Sequence, residues 1–285
     1  MSTSADFYQK RMKRRMLKRK KQRRTIAVLS AALIIIIVSA VYVKSNFKKT
    51  EETGNFSADS LVVYPQPAEK TTDILASFPD NDGVKTAYLT FDDGPTTSVT
   101  PAILDILRRY DVKATFFMVG SLMEKNTDMA YRVYSEGHTL ANHSYRHNYS
   151  YLYENGENFM SEINSTYEMI QKVSGRSDYP KIFRFPGGSY NSGSHGEAKQ
   201  TYKELLKNQG YRFCDWNCLS GDAEYKSPTV DTLLGRVKSS SKGKEDLVIL
   251  MHDSATKKIN IQALPVIIDY LLSEGYTFST LDKAP

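Results

Sequence analysis

Ala87-Tyr88-Leu89-Thr90-Phe91-Asp92-Asp93-Gly94-Pro95 runs a short apolar strand straight into two adjacent carboxylates and a Gly-Pro turn. Asp, Gly and Pro dominate turns for local steric reasons, so residues 92–95 alone read as an ordinary turn. The surroundings decide the fold. From Lys85 onward, strand-like runs at 86–91, 114–119, 139–142, 181–185, 211–215, 247–251 and 276–280 alternate with helical patterns near 101–110, 128–136, 158–173, 196–208, 230–239 and 260–274. Gly137, Gly210 and Gly275 each follow a helical pattern, as C-terminal caps do. Ser227-Pro228 reads as an N-cap with Pro at the first helical position. Seven strands alternating with six helices predict a parallel α/β fold, either a barrel or an open sheet. A closed or nearly closed barrel carries its functional residues just after the strands.

The reactive residues fall at those places. Asp92 and Asp93 follow the first strand, His143 and His147 the third. Arg184 and Gly187 sit at the end of the fourth, Asp215 and Trp216 of the fifth, and His252 of the sixth. Two further histidines are bland: His138 reads as a helix-exit residue, and His195 lies in a Gly/Ser loop. His143 and His147 are four apart, and on one helical turn that spacing points both imidazoles to the same side, as chelation requires. With Asp93 they make two nitrogens and one oxygen, a donor set suited to a catalytic divalent metal, zinc first and cobalt or another ion as the alternative. Water on such a metal is acidic enough to lose a proton near neutral pH, and Asp92 is placed to take it.

His252, after four apolar residues, is either a core histidine or, from its strand-end position, a catalytic acid. Arg184 stands in an apolar stretch and needs a carboxylate, for which Asp92 is the candidate. Asp215 is expected to pair with His252 and raise its proton affinity. Gly187 and Gly188 permit close approach of backbone to a ligand. Trp216, the only tryptophan, is a core anchor or a wall of the substrate pocket.

Charge is uneven along the 285 residues. Residues 1–24 hold 11 of the 38 Lys/Arg and one of the 32 Asp/Glu, a net of +10, which leaves a net of −4 on the rest. A mildly acidic domain gives no support to nucleic-acid binding. Residues 25–43 carry no charge and are long enough to cross a bilayer. The basic tail before them orients the N-terminus to the cytoplasm and the remainder outside. A cleaved signal peptide is the competing reading, with Val38-Ser39-Ala40 as its site, and it makes the chain secreted. Residues 44–84 read as an extracytoplasmic stalk with a possible short strand at 61–64, and residues 85–285 as the catalytic domain. Cys214 and Cys218 are either a tight disulfide or two buried thiols.

Taken together, these residues resemble the polysaccharide deacetylases of carbohydrate esterase family 4, the NodB-homology group, over about residues 85–281. Residues 90–95 match the family's first motif, which implies Asp92 as base and Asp93 as metal ligand. Residues 143–147 match the second, with both histidines on the metal. Arg184-Phe185-Pro186-Gly187 matches the third, in which the Arg orients the base and the Gly187 N–H faces the oxyanion. Asp215-Trp216 matches the fourth, tuning the acid and walling the acetyl pocket. Leu250-Met251-His252 matches the fifth, with Leu250 on the pocket and His252 as acid.

The resemblance implies a distorted (β/α)7 barrel and a metal-dependent N-deacetylase of an N-acetylated glycan. Peptidoglycan N-acetylglucosamine is the leading substrate. N-acetylmuramic acid, poly-N-acetylglucosamine, chitin oligomers and acetylated xylan are the alternatives, and an inactive membrane-tethered glycan-binding protein is the rival class. Many members carry an aromatic residue where Gly187 stands, and Pro where Asn148 follows the second histidine. The ring lost at Gly187 is expected to be replaced in part by Tyr190, with Tyr145 or Tyr151 stacking on a sugar.

Overall fold

Burial on both faces explains the unbroken apolar runs. In β1 (Thr86–Gly94), every residue but Thr86 and Asp93 is buried, as expected of a parallel strand covered on both sides. The computed structural model describes residues 72–79, 82–190 and 195–285. The basic tail, the uncharged segment at 25–43 expected to span a membrane, the strand considered at 61–64 and most of the expected stalk lie outside the described residues. Among the described residues, no helix is long and apolar enough to cross a membrane.

β1 lies between β2 (Thr115–Met118) and β7 (Asp246–His252), and the sheet continues from β2 through β3 (Thr139–Asn142) and β4 (Ile182–Phe183) to β5 (Arg212–Phe213). β6 (Cys218–Leu219) flanks β7, and β8 (Thr277–Phe278) pairs with the start of β1. Every pairing is parallel. The sheet curves into a half-barrel, and one stretch of chain bridges its two ends. Residues 212–219 bond β4 with their first half, Cys214 N–H to Phe183 O at 3.0 Å, and β7 with their second, Asn217 N–H to Val248 O at 3.2 Å. The sequence suggests one strand at 211–215; β6, only two residues long, carries no periodicity of its own.

The helices are α1 (Thr100–Arg109), α2 (Gly120–Lys125), α3 (Thr127–Ser135), α4 (Tyr149–Leu152), α5 (Gly156–Ser174), α6 (Gly196–Asn208), α7 (Val230–Ser241) and α8 (Ile259–Ser273). The short α2 and α4 have no counterpart in the sequence reading. α7 starts two residues later than Ser227-Pro228 suggests, because the Thr229 hydroxyl takes the N-cap role and accepts the Thr232 N–H.

The two-residue period of the strands sorts side chains. Ala87, Leu89 and Phe91 pack toward the helices with Ile103, Leu107 and Ile267. Tyr88 joins an inner cluster with Phe117, Ala141, Ile182, Cys214 and Val248. The same alternation carries Thr90 and Asp92 to the side of Tyr88, and Leu250 and His252 to the side of Val248. Ile74, Leu281 and Ala284 complete the inner cluster. The domain therefore begins before Lys85: Ile74 is fully buried and donates its N–H to Phe213 O at 3.0 Å. Cys214 and Cys218 are buried free thiols that belong to different clusters.

His138, read from sequence as a bland helix-exit residue, is buried. Its Nδ1 accepts the Ala114 N–H at 3.2 Å, and its Nε2 has no hydrogen-bond partner among the described residues. Burial pushes its pKa down to about 4. Above the ordinary value of 6.5 both folded and unfolded states hold it neutral, so its stability contribution is intact; as pH falls from 6.5 to 4, only the unfolded chain gains the proton. The loss approaches roughly 3 kcal/mol. Urea unfolding at pH 7.5 and 4.5 is expected to show a smaller acid-induced loss in His138→Asn than in the wild type. Equal losses remove His138 as the source.

Candidate active site

A regular strand turns successive side chains to opposite faces, yet Asp92 and Asp93 line one cavity. The register between β1 and β2 shifts between Asp92 and Gly94, and Asp93 takes a left-handed φ of 73°. This bulge swings the second carboxylate to the side of the first. Gly94 is required there, because a Cβ would collide with the Asp253 carboxylate behind it.

Arg184 is fully buried and sits beneath Asp92. Nη1 donates to Asp92 Oδ1 at 2.9 Å and to Thr90 Oγ1 at 2.7 Å; Nε donates to Cys214 O at 2.8 Å and Nη2 to Asp215 O at 2.9 Å. The guanidinium also lies 4.0 Å from the Phe117 ring. These contacts offset the desolvation of a buried cation, and they bear out the expected Arg184–Asp92 pair. Burial raises the Asp92 pKa against the opposing pull of Arg184, so its carboxylate is a better proton acceptor than an exposed one.

His143 and His147 do converge, but not on a helical turn as their spacing suggests. Residues 143–147 form a bend in which Ser144 and His147 have φ of 68° and 53°. Such left-handed residues cost about 1–3 kcal/mol each unless the surroundings hold them. Here the buried Glu162 of α5 does so: Oε2 accepts the N–H groups of Tyr145 (3.0 Å) and Arg146 (2.6 Å), and Oε1 accepts Arg146 Nη1. Ser144 Oγ accepts the His147 N–H at 3.1 Å.

His143 Nδ1 lies 2.9 Å from the Arg184 carbonyl, which can only accept, so Nδ1 carries the proton and the lone pair is on Nε2. Burial pushes the His143 pKa down to about 3, which keeps it neutral as a metal ligand must be. Asp93 Oδ1 is 3.6 Å from His143 Nε2 and 3.2 Å from His147 Nε2, and one donor atom from each of the three residues falls within 4.8 Å of the others. Neighbouring donors of a tetrahedral zinc site lie about 3.3 Å apart. The three residues fit a divalent cation.

The pairing expected for the acid is corrected. His252 Nδ1 lies 2.9 Å from Asp222 Oδ1, and the His252 N–H donates to Asp222 Oδ2 at 2.8 Å. Asp215 instead accepts the Ser189 N–H (2.9 Å) and hydroxyl (2.6 Å), tying down the chain after Gly188. The cause is strand order: β6, not β5, is the neighbour of β7, so a residue just past β6 reaches His252. Burial alone would depress the His252 pKa, but the hydrogen bond and charge of Asp222 hold it up at about 9. Had 218–219 been legible as a strand, Asp222 would have stood at a strand end like the others.

Asp92, Asp93, His143, His147, Gly187, Trp216, Leu250 and His252 share one cavity of about 300 Å³, with Leu219, Asp222 and Tyr149 also in its walls. Trp216, Leu219 and Leu250 give it an apolar side. Gly187 N–H makes no hydrogen bond among the described residues. Tyr190 packs edge-on against Trp216, with ring centroids 5.9 Å apart. Two tyrosines expected as sugar platforms are engaged elsewhere: Tyr145 donates to Glu124 at 2.6 Å, and the Arg146 guanidinium covers Tyr151 at 4.8 Å. Tyr149, absent from the sequence reading, lines the cavity from α4.

Residues 80–206 match the family described as polysaccharide deacetylase. A peptidoglycan-N-acetylglucosamine deacetylase of Bacillus cereus is 34% identical over 197 residues, covering 68% of each chain. The catalytic domain of peptidoglycan N-acetylglucosamine deacetylase from Eubacterium rectale superposes with a TM-score of 0.65 at 33% identity, over 74% of this chain and 96% of that one. A Streptococcus mutans CE4 esterase gives 0.62 at 37% identity, over 69% and 85%.

Proposed function

Because the chain belongs to the polysaccharide deacetylase family, we propose that it is a metal-dependent N-deacetylase of peptidoglycan N-acetylglucosamine. The observation that carries this reading is the meeting, in one cavity, of a three-donor cluster with two proton-handling groups on adjacent strands, Asp92 and the Asp222-paired His252. Held by Asp93, His143 and His147, a divalent cation, zinc first, would supply Lewis acidity that polarises a carbonyl and acidifies water. Asp92, fixed through Oδ1 by Arg184, takes the proton of the attacking water. The free Gly187 N–H donates to the acetamide oxygen as negative charge grows there. Trp216, Leu219 and Leu250 receive the acetyl methyl group. His252 protonates the departing nitrogen, so that water and the amide become acetate and a free amine. Asp215 acts one step away, by holding Ser189 and the backbone of the Gly187 turn.

Counting 212–219 as one interrupted strand supports reading the half-barrel as a distorted (β/α)7 barrel. The uncharged run at 25–43 and the basic tail before it support a single-pass anchor with the domain outside the membrane, where peptidoglycan lies. The test is mass spectrometry of peptidoglycan fragments and chito-oligosaccharides incubated with the purified full chain in detergent, with Zn²⁺ or Co²⁺. Masses lowered by whole acetyl groups, with release of acetate, are expected as N-acetylglucosamine residues become glucosamine. Absence of acetate from every glycan with either metal overturns the reading.

A further inference from the structure

Gly187 and Gly188 both have left-handed φ, 76° and 81°, and aromatic rings approach each of them. A Cβ on Gly187 would lie 3.0 Å from Tyr149 Cε1; one on Gly188 would lie 2.8 Å from the Tyr190 ring and 3.1 Å from Trp216 Cη2. The two glycines are thus a bare backbone floor with Tyr149 against one and Tyr190 leaning on Trp216 against the other. Tyr149 and Tyr190 are 40% and 48% exposed, which leaves both rings open to a ligand. Tyr149 is itself held in place, edge-on to His147 at 5.4 Å and to Tyr153 at 6.0 Å. Its hydroxyl makes no hydrogen bond among the described residues and points to the Gly187 side, 3.4 Å from where that Cβ would stand.

We propose that Tyr149 is a specificity-determining sugar contact, its ring stacking on a pyranose of a β-linked N-acetylglucosamine chain and its hydroxyl bonding that sugar. This rests on the glycan deacetylase reading. A pyranose presents a flat C–H face and a polar rim, and a tyrosine offers a rigid apolar face with a polar tip. The glycine floor is what makes room: any side chain at 187 would push against the Tyr149 ring. The Tyr149 ring therefore occupies, from α4, space that a residue 187 side chain would have to share by displacing it.

The experiment measures chitotetraose in two ways. Calorimetric binding is followed with the metal chelated, and KM and kcat with Zn²⁺ present. Tyr149→Ala is expected to weaken binding and raise KM about tenfold, one stacking contact's worth. Tyr149→Phe is expected to recover most of the stacking and lose the hydroxyl's share, which also guards against a folding defect in the alanine variant. A wild type that releases acetate while Tyr149→Ala binds and turns over with the same Kd and KM overturns the role of Tyr149 and leaves the deacetylase reading standing. A wild type that binds chitotetraose tightly, loses that binding in Tyr149→Ala, and releases no acetate from chitotetraose or peptidoglycan with Zn²⁺ or Co²⁺ sustains the sugar contact and sinks the deacetylase reading.

Discussion

Asp92→Asn is expected to lower kcat by about 10²–10⁴-fold while the protein keeps its fold and its metal. The substitution is nearly isosteric, and the amide oxygen can still accept from Arg184 Nη1, which now lies 2.9 Å from Asp92 Oδ1. What disappears is a group able to take a proton. The buried Arg184 also loses its counter-charge but retains Thr90 Oγ1 and the carbonyls of Cys214 and Asp215. The expected stability loss is therefore below the roughly 3–5 kcal/mol of a fully broken buried pair. Circular dichroism and elemental analysis of the purified variant check the fold and the metal. His143→Ala is the contrast, expected to lose metal along with activity, because it removes one of three donors and the tautomer fixed by the Arg184 carbonyl. A folded, metal-loaded Asp92→Asn that turns over at the wild-type rate would mean another group takes the proton.

The parts of this site visible in sequence are those a strand delivers. Leu89, Phe91, Ile249 and Met251 are buried because both faces of β1 and β7 are covered, and continuous burial writes itself as an apolar run. The residue closing such a run then stands at the mouth of the half-barrel, which is why Asp92, Arg184 and His252 could be picked out before any contact was known. The parts that were hidden depend on backbone that departs from regular structure. The 143–147 bend relies on Glu162, 15 or more residues away, to hold two left-handed residues, and spacing alone suggests a helical turn instead. Tyr149 sits on a one-turn helix too short for a hydrophobic period. Asp222 follows a two-residue strand, so Asp215, at the end of a more visible run, took its place in the sequence reading. In each case the deciding contact is tertiary.

Asp222→Asn turns that correction into a measurable difference. In the proposed mechanism His252 is the acid and is competent only when protonated, and with a pKa of about 9 that form is nearly complete at neutral pH. Activity is expected to fall as pH rises through about 9. The elevation comes chiefly from the hydrogen bond and charge of Asp222 working against burial, with smaller help from Asp92 and Asp93, so an uncharged asparagine removes the largest support of the proton and moves the alkaline limb of kcat to lower pH. At pH 8 the wild-type histidine is about 90% protonated, and each unit by which the limb moves down below that pH costs about tenfold in rate, a loss that lessens as the pH is lowered. Asp215→Asn is expected to leave the limb where it is. Its oxygens hold Ser189, so loosening them disturbs the Gly187 turn and appears as a higher KM. The pH profiles of kcat for the two variants decide between the carboxylates: a limb moved by Asp215→Asn and untouched by Asp222→Asn would return the acid to the partner that the sequence suggests.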